Sequence, residues 1–386
     1  MFERLVEFIQ DQYKTKEKIP LHAPLFAANE RKYLLETIDS NFVSSVGEFV
    51  NQFESAIAAY TESPSAVVTV NGTSALHIAL LVAGIKPNDY VITQPLTFVA
   101  TCNAIHYCGA EPIFIDVNKS TLGLSPDALK AWLNEYAYID DSGLCRYKEN
   151  NRVIRACLPV HTFGHPVQLD EIISICIQWN LQLVEDAAES LGSLYKNKHT
   201  GTFGLLGTLS FNGNKIITTG GGGMILTNPT LGEKAKYITT TAKLSHLYEF
   251  IHTEIGYNYR MPNLNAALGC AQLEQIEYFI EDKRALAKDY QEFFRNTDFT
   301  FMVEPRDCRS NYWLNAIICE NYVQRDELLK FTNDKGILAR PVWKLMHKLP
   351  MFAHSIKGEL NVAEWLGERI VNLPSGVRLG GDKTHA

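Results

Sequence analysis

The stretch Ser210-Phe-Asn-Gly-Asn-Lys215, followed by the run Gly220-Gly-Gly-Gly223, decides how this chain is read. Lys215 comes soon after a short apolar run, Gly207-Thr-Leu-Ser-Phe211, and its neighbourhood is serine, asparagine and glycine. An amine held there, at the end of a buried segment, can be fixed in position without being a surface charge. That is the setting of a lysine that forms a Schiff base with a carbonyl, a reaction in which the amine must be neutral when it attacks. An ordinary loop lysine after a strand fits the window at least as well, so the reading depends on what surrounds it.

Outward from this stretch, apolar runs of strand length alternate with helical patterns. Ala66 to Val70 reads as a buried strand that leads into a capped helix at Asn71-Gly-Thr-Ser-Ala-Leu-His-Ile-Ala-Leu80. Further strands are predicted at 90–93, 111–115, 153–159 and 181–184, helices at 97–107, 126–135 and 170–179, and a polar insertion at 140–151. Strands alternating with helices predict an α/β fold with a mostly parallel sheet and helices on both faces. Ligands of such sheets collect beyond the carboxyl ends of the strands. Amphipathic helices are predicted over 24–41 and 47–60. Met1 to Asp11 alternates charged and apolar residues at helical spacing, and reads as neither a signal peptide nor a membrane span. Beyond Thr227 the pattern changes to helices at 231–241, 263–276 and 281–296. A smaller α+β region follows from about Phe299, with strand candidates at 313–318 and 336–340. Residues 1–255 are expected to form an N-terminal arm and a large domain, and residues 256–386 a smaller C-terminal domain.

Hydrophobic residues at 46% and charged residues at 20% describe a globular protein, and 386 residues exceed one ordinary core. A formal net charge of -7 without any basic run argues against a nucleic-acid surface. The eight cysteines are scattered without a CxxC pair, which predicts reduced thiols and a cytoplasmic protein.

Several features sit at predicted strand ends. Gly72, Thr73 and Ser74 present backbone N–H groups and hydroxyls at a helix N-terminus, a setting that suits a phosphate monoester. Phe98, after a proline turn, can lie against a planar ring, although an aromatic there is more often core. Val184-Glu-Asp-Ala-Ala-Glu189 puts the Asp186 carboxylate in a confined, nearly apolar place, where it needs a cation or a strong donor. A pyridinium nitrogen is such a partner. An aldehyde carbon, a ring nitrogen and a phosphate surround one pyridine ring, and Lys215, Asp186 and Ser210 with Thr73 and Ser74 supply one complement to each.

The series Asn71-Gly-Thr-Ser-Ala75, Thr97-Phe-Val-Ala-Thr101, Glu185-Asp-Ala-Ala-Glu189, Ser210-Phe-Asn-Gly-Asn-Lys215 and Gly256-Tyr-Asn-Tyr-Arg-Met261 resembles the DegT/DnrJ/EryC1/StrS family of nucleotide-sugar aminotransferases, from about Ile19 to Val377. The resemblance implies the aspartate aminotransferase-like fold (fold type I), pyridoxal 5'-phosphate and a homodimer. It implies that Lys215 bonds the cofactor aldehyde, Asp186 pairs with the ring nitrogen and Phe98 stacks on the ring. Gly72, Thr73, Ser74 and Ser210 then hold the phosphate, and Asn258 reaches the partner subunit's cofactor. Glu189 stands where many members carry His or Gln against the phenolic oxygen: a protonated Glu donates that bond, an ionised one opposes it. Thr219-Gly-Gly-Gly-Gly223 replaces the more usual Gly-Glu-Gly-Gly.

Within the family, Phe42 to Val50, His161-Thr-Phe-Gly-His-Pro166 and Arg340-Pro-Val-Trp-Lys-Leu-Met-His347 are most similar to the branch that aminates C4 of UDP-linked 4-keto-6-deoxy-N-acetyl sugars, for the legionaminic acid and bacillosamine pathways. L-glutamate is the expected amino donor. Lys243, Arg260, Arg340 and His347 are candidates for the sugar nucleotide's pyrophosphate or uracil, with an exposed surface charge as the plain alternative for each. His161 and His165 have i, i+4 spacing, but Phe-Gly and Pro166 break any helix, so a loop lining the substrate cleft is expected there rather than a metal site. A sugar dehydratase on the same scaffold is disfavoured because such members carry His at the lysine position. A non-catalytic sensor is disfavoured by the full set Lys215, Asp186, Phe98 and Ser210.

Overall fold

The computed structural model describes residues 1–378. A seven-stranded sheet is built from β1 (Ser65–Thr69), β2 (Tyr90–Thr93), β3 (Glu111–Phe114), β4 (Ile154–Leu158), β5 (Gln182–Asp186), β6 (Leu206–Ser210) and β7 (Gly223–Thr227). Their spatial order is β1-β7-β6-β5-β4-β2-β3. Strands β2 to β6 pair in parallel, and β7 runs antiparallel to both β1 and β6. All strands but β7 therefore point the same way, and their carboxyl ends share one edge.

Strand β7 is absent from the sequence reading, which expects parallel strands joined by helices. An antiparallel return needs only a short connection, and the chain makes it between Phe211 and Gly222, whose backbones pair at 2.9 Å. Glycine is required at Gly223, because a Cβ there would lie 2.5 Å from the carbonyl oxygen of Asn71.

Buried β-branched and leucine residues of the sheet pack against helices on both faces. The helix Gly72–Val82 is apolar almost all round because it is enclosed: residues from Ser74 to Leu80 are all buried. Asn71 caps it, its Oδ1 accepting the N–H of Ser74 at 2.8 Å. On the other face, Leu129, Trp132 and Leu133 of the helix Pro126–Tyr136 join Ile172 and Ile175 of the helix Leu169–Gln178.

The C-terminal region carries a smaller antiparallel sheet of β8 (Thr300–Phe301), β9 (Asn315–Ile318), β10 (Arg340–Pro341) and β11 (Ile370–Leu373), in the order β8-β9-β11-β10. The strand expected at 336–340 shrinks to Arg340–Pro341, and the helix Tyr322–Asp334 and strand β11 were not anticipated. The polar insertion at 140–151 forms most of a hairpin that pairs Ala137–Ile139 with Cys145–Tyr147. The helix expected from residue 24 begins at Glu30; the segment before it is extended, with Leu21 and Leu25 carbonyls accepting from Ser375 N–H and the Gln272 amide. Leu5, Val6 and Ile9 of the first helix, Phe2–Tyr13, share a core with Leu286, Tyr290 and Phe294 of the long helix Ile276–Phe294 and with Ile317 of β9. Among the described residues no helix is long and apolar enough to cross a membrane.

Candidate active site

A cleft of about 290 Å³ opens at the carboxyl edge of the large sheet. Each wall follows from a strand end: Asn71, Gly72 and Thr73 after β1, Phe98 and Thr101 after β2, Asp186 and Glu189 at and after β5, Ser210 and Lys215 at and after β6. Trp313 and Trp343 close it from the smaller region.

Lys215 Nζ lies 3.4 Å from Glu189 Oε1 and 3.8 Å from the centre of the Trp313 ring. Its loop is tied down as well, since Trp313 Nε1 donates to the carbonyl of Asn214 at 2.6 Å, a contact between residues 99 apart in sequence. Asp186 is buried, and its Oδ2 accepts from Thr101 Oγ1 at 2.7 Å while Oδ1 accepts the Ala188 N–H at 3.2 Å. Burial pushes the Asp186 carboxyl above its usual range, against the pull of Thr101, the Ala188 amide and Lys215. Burial likewise pushes Glu189 upward, against Lys215 and the Phe163 N–H that its Oε2 accepts at 2.9 Å. A carboxylate held this way favours a cationic partner.

At the other end of the cleft, the N-terminus of the helix Gly72–Val82 faces Ser210. A Cβ on Gly72 would lie 2.8 Å from Ser210 Cβ, so the space beside the helix terminus exists because position 72 carries none. Free N–H groups at a helix start, with the hydroxyls of Thr73 and Ser210, are groups of the kind that can hold a phosphate. Ser74 is buried at the start of the helix, and its N–H goes to Asn71 Oδ1. Phe98 is 52% exposed and stands edge-on to Trp343 at 6.2 Å, leaving a ring face available.

The remaining sequence candidates lie elsewhere in this chain. Lys243 is exposed and rests over Phe250 at 4.2 Å; Arg340 is exposed in β10. His347 is buried, with Nε2 3.1 Å from Glu364 Oε1; burial lowers its basicity, and it does not line this cleft. Asn258 is exposed, and its Oδ1 accepts from Arg260 at 3.1 and 3.0 Å.

The loop His161 to His165 does not line the cleft through its histidines, both of which are buried. His161 Nε2 meets Glu185 Oε2 at 3.0 Å, and its Nδ1 accepts the Val167 N–H. Burial raises Glu185, but the bonds from His161 and from the Gly201 and Gly204 amides outweigh it and hold the carboxyl below its ordinary value. His165 packs edge-on against Tyr312, and burial pushes its pKa down to about 4. Among the described residues no group of His, Cys, Asp and Glu is arranged to hold a metal ion. The sequence does not mark Trp313, Trp343, Asn71 or Thr101 as site residues, although the last three fall inside the quoted motifs.

Residues 24–386 match the model of the DegT/DnrJ/EryC1/StrS aminotransferase family. The chain belongs to this family. GDP-perosamine synthase of Escherichia coli O157:H7 is 38% identical over 368 residues, covering 95% of each chain. EpsN of Bacillus subtilis is 36% identical over 375 residues, covering 95% of this chain and 93% of its own. A DegT DnrJ EryC1 StrS aminotransferase from Brucella abortus superposes with a TM-score of 0.83 at 27% identity, over 92% of this chain and 91% of that one. The protein is thus a sugar aminotransferase of the fold type I class that depends on pyridoxal 5'-phosphate. The cleft of this aminotransferase fits that cofactor: among the described residues no cation is bonded to its buried Asp186 carboxylate, a helix N-terminus faces a space that a Cβ would fill, and one lysine amine lines the same cleft.

Proposed function

We propose that the enzyme transfers an amino group, from L-glutamate, to C4 of a UDP-linked 4-keto-6-deoxy-2-acetamido sugar in the cytoplasm. The observation that carries the reading is the convergence of the Lys215 amine, the Asp186 carboxyl and the Gly72–Ser210 cradle on one cleft of a sugar aminotransferase. When bound, the cofactor supplies an aldehyde and an electron-withdrawing ring. Asp186 keeps the ring nitrogen protonated, Gly72, Thr73 and Ser210 anchor the phosphate, and Phe98 covers the ring. Lys215 would take the proton from the α-carbon of the amino acid in the first half-reaction and deliver one to the sugar carbon that gains the amine in the second. Trp313 and Trp343 exclude water from that side.

Asn258 serves the site of a second copy. It lies outside its own chain's cleft, next to a hairpin of Lys243–Leu244 and Ile251–His252 that exposes Leu247, Tyr248, Phe250 and Ile255. Apolar side chains exposed together in this way favour burial against a partner. Lys243 and Arg260, in the same region, then approach the partner's sugar nucleotide, with Arg340 at the rim.

The name of the 38% identical relative favours a second reading, a GDP-linked keto sugar. The visible spectrum of the purified protein separates the readings. L-glutamate is expected to discharge the cofactor's visible band, and a UDP-linked 4-keto-6-deoxy-2-acetamido sugar to restore it. Restoration by the GDP-linked ketone alone selects the second reading, and a band indifferent to every amino acid removes transamination.

A further inference from the structure

Glu189 is the one acidic residue in contact with Lys215 among the described residues. Its two oxygens are not equivalent. Oε2 accepts the backbone N–H of Phe163 at 2.9 Å, and an amide N–H can only donate, so Oε2 stays unprotonated. The amide is aimed by an unusual backbone: Phe163 has φ 58 and Gly164 φ 94. A Cβ at Gly164 would lie 1.9 Å from Asn311 Oδ1, and Asn311 in turn donates to the Glu189 and Leu191 carbonyls at 2.9 Å. Any proton on Glu189 therefore sits on Oε1, the oxygen 3.4 Å from the Lys215 amine.

The groups that face this carboxyl are few. Lys215 comes from the loop after β6 and Asp186 from the end of β5; the 161–165 loop contributes the Phe163 amide, and the smaller region contributes the Trp313 ring beside Lys215. Without cofactor, the Lys215 amine is the only cationic neighbour among them.

The cofactor placement proposed above, on which this inference rests, fixes what comes next to Oε1. With the ring nitrogen at Asp186, the phosphate arm at Gly72 and Ser210 and the aldehyde carbon at Lys215, the ring is oriented. Its phenolic oxygen is the other neighbour of the aldehyde, on the side away from the phosphate. Glu189 Oε1, 3.4 Å from the Lys215 amine and bonded to no residue of the Gly72–Ser210 cradle, is the protein group assigned to that side. A phenolate brought against a buried carboxylate is a like-charge contact, which one proton converts into a short charge-assisted hydrogen bond. Burial already biases this carboxyl toward holding a proton.

We propose that Glu189 takes up a proton from solvent when pyridoxal 5'-phosphate binds, carries it on Oε1 and donates it to the cofactor's phenolic oxygen. Glu189 is then a proton-holding donor to the cofactor, and the Phe163 amide is the device that selects which oxygen bears the proton.

The test is an infrared difference spectrum of the full-length protein with and without pyridoxal 5'-phosphate. A carbonyl stretch of a protonated carboxylic acid is expected to appear on binding, to move when the protein is labelled with carbon-13 glutamate, and to be missing in Glu189→Gln. Glu189→Gln, a permanent donor, is expected to keep the cofactor dissociation constant within about threefold of wild type, and Glu189→Ala to weaken it about tenfold. Stoichiometric binding by wild type without the labelled-acid band overturns the proposal, as does a Glu189→Gln protein that retains the band. The wild-type spectrum decides even if a variant does not fold. Wild-type protein that binds no cofactor at all overturns instead the placement on which the inference rests, and the inference with it.

Discussion

The amine of Lys215 lies 3.8 Å from the centre of the Trp313 ring, so the lysine of the large sheet is covered by a side chain of the smaller region. Trp313 is pinned at three points: its N–H by Asn311 Oδ1 at 2.8 Å, its carbonyl by Lys283 Nζ at 3.2 Å and its indole N–H by the Asn214 carbonyl at 2.6 Å. A cation over an indole face is worth about 0.5–2 kcal/mol. Trp313→Ala is therefore expected to slow the glutamate half-reaction by about 2- to 30-fold. Trp313→Phe keeps a ring face, loses only the bond to Asn214, and should fall between. Stopped-flow decay of the cofactor's visible band measures both, and an unchanged rate in Trp313→Ala would remove the indole from any part in positioning the amine.

Asp186 illustrates a conflict between stability and function. Its carboxyl is raised by burial, so above the usual carboxylate range the cofactor-free protein keeps an ionised group that the fold disfavours. The penalty is complete above the raised value and is relieved as pH falls through it toward the ordinary value. Asn at this position cannot ionise, and it preserves both local bonds: its oxygen accepts the Ala188 N–H, and its amide donates to Thr101 Oγ1, since a hydroxyl serves either way. Asp186→Asn should leave the cofactor-free protein as stable as wild type or more so in urea, while lowering turnover by about 10²–10³-fold. Loss of stability together with activity would mean that the carboxylate is structural.

Lys283 is fully buried and donates to the carbonyls of Trp313 and Ser375; burial pushes its pKa down to about 7, with Asp282 opposing. The unfolded chain holds this proton up to about pH 10.4. Between these values the unfolded state binds more protons, so Lys283 makes stability rise with pH from about 7 toward about 10. Lys283→Met should lose that slope and lower stability at every pH, because two buried carbonyls are left without a donor. Urea midpoints for both proteins at about pH 7 and about pH 9 provide the comparison, and parallel slopes would contradict it.

The positions of Gly72, Thr73, Phe98, Asp186, Ser210 and Lys215 at one edge were legible because each closes an apolar run of strand length, and strands so connected share an edge. What came from far along the chain was not. Trp313 reaches the lysine loop across 99 residues, and no local period announces which strand of a smaller sheet will face which loop of a larger one. Side-chain partners were equally hidden: the Asn71 side chain takes the Ser74 N–H, and His347 meets Glu364, though both stretches were singled out. The 161–165 loop was expected to line the cleft; its two histidines are buried and absent from the lining, while its Phe163 N–H reaches Glu189 of the cleft. Strand β7 escaped because a run of four glycines reads as a loop, whereas here it supplies the close approach to Asn71 that an added Cβ would block.

Asn258 yields the sharpest test of a shared site. If the site around one chain's Lys215 is completed by the other chain's Asn258, a dimer of one Lys215→Ala chain and one Asn258→Ala chain has one site with both defects and one with neither. Each variant alone is expected to be nearly inactive, Lys215→Ala fully so. When the two are co-expressed in equal amounts, half the dimers are mixed and about a quarter of wild-type activity should return. If Asn258 instead served its own chain, both sites of the mixed dimer would carry one defect and nothing would return. Sedimentation of the mixture shows whether dimers form at all, so a null result in a dimeric sample counts against the cross-subunit role and not against association.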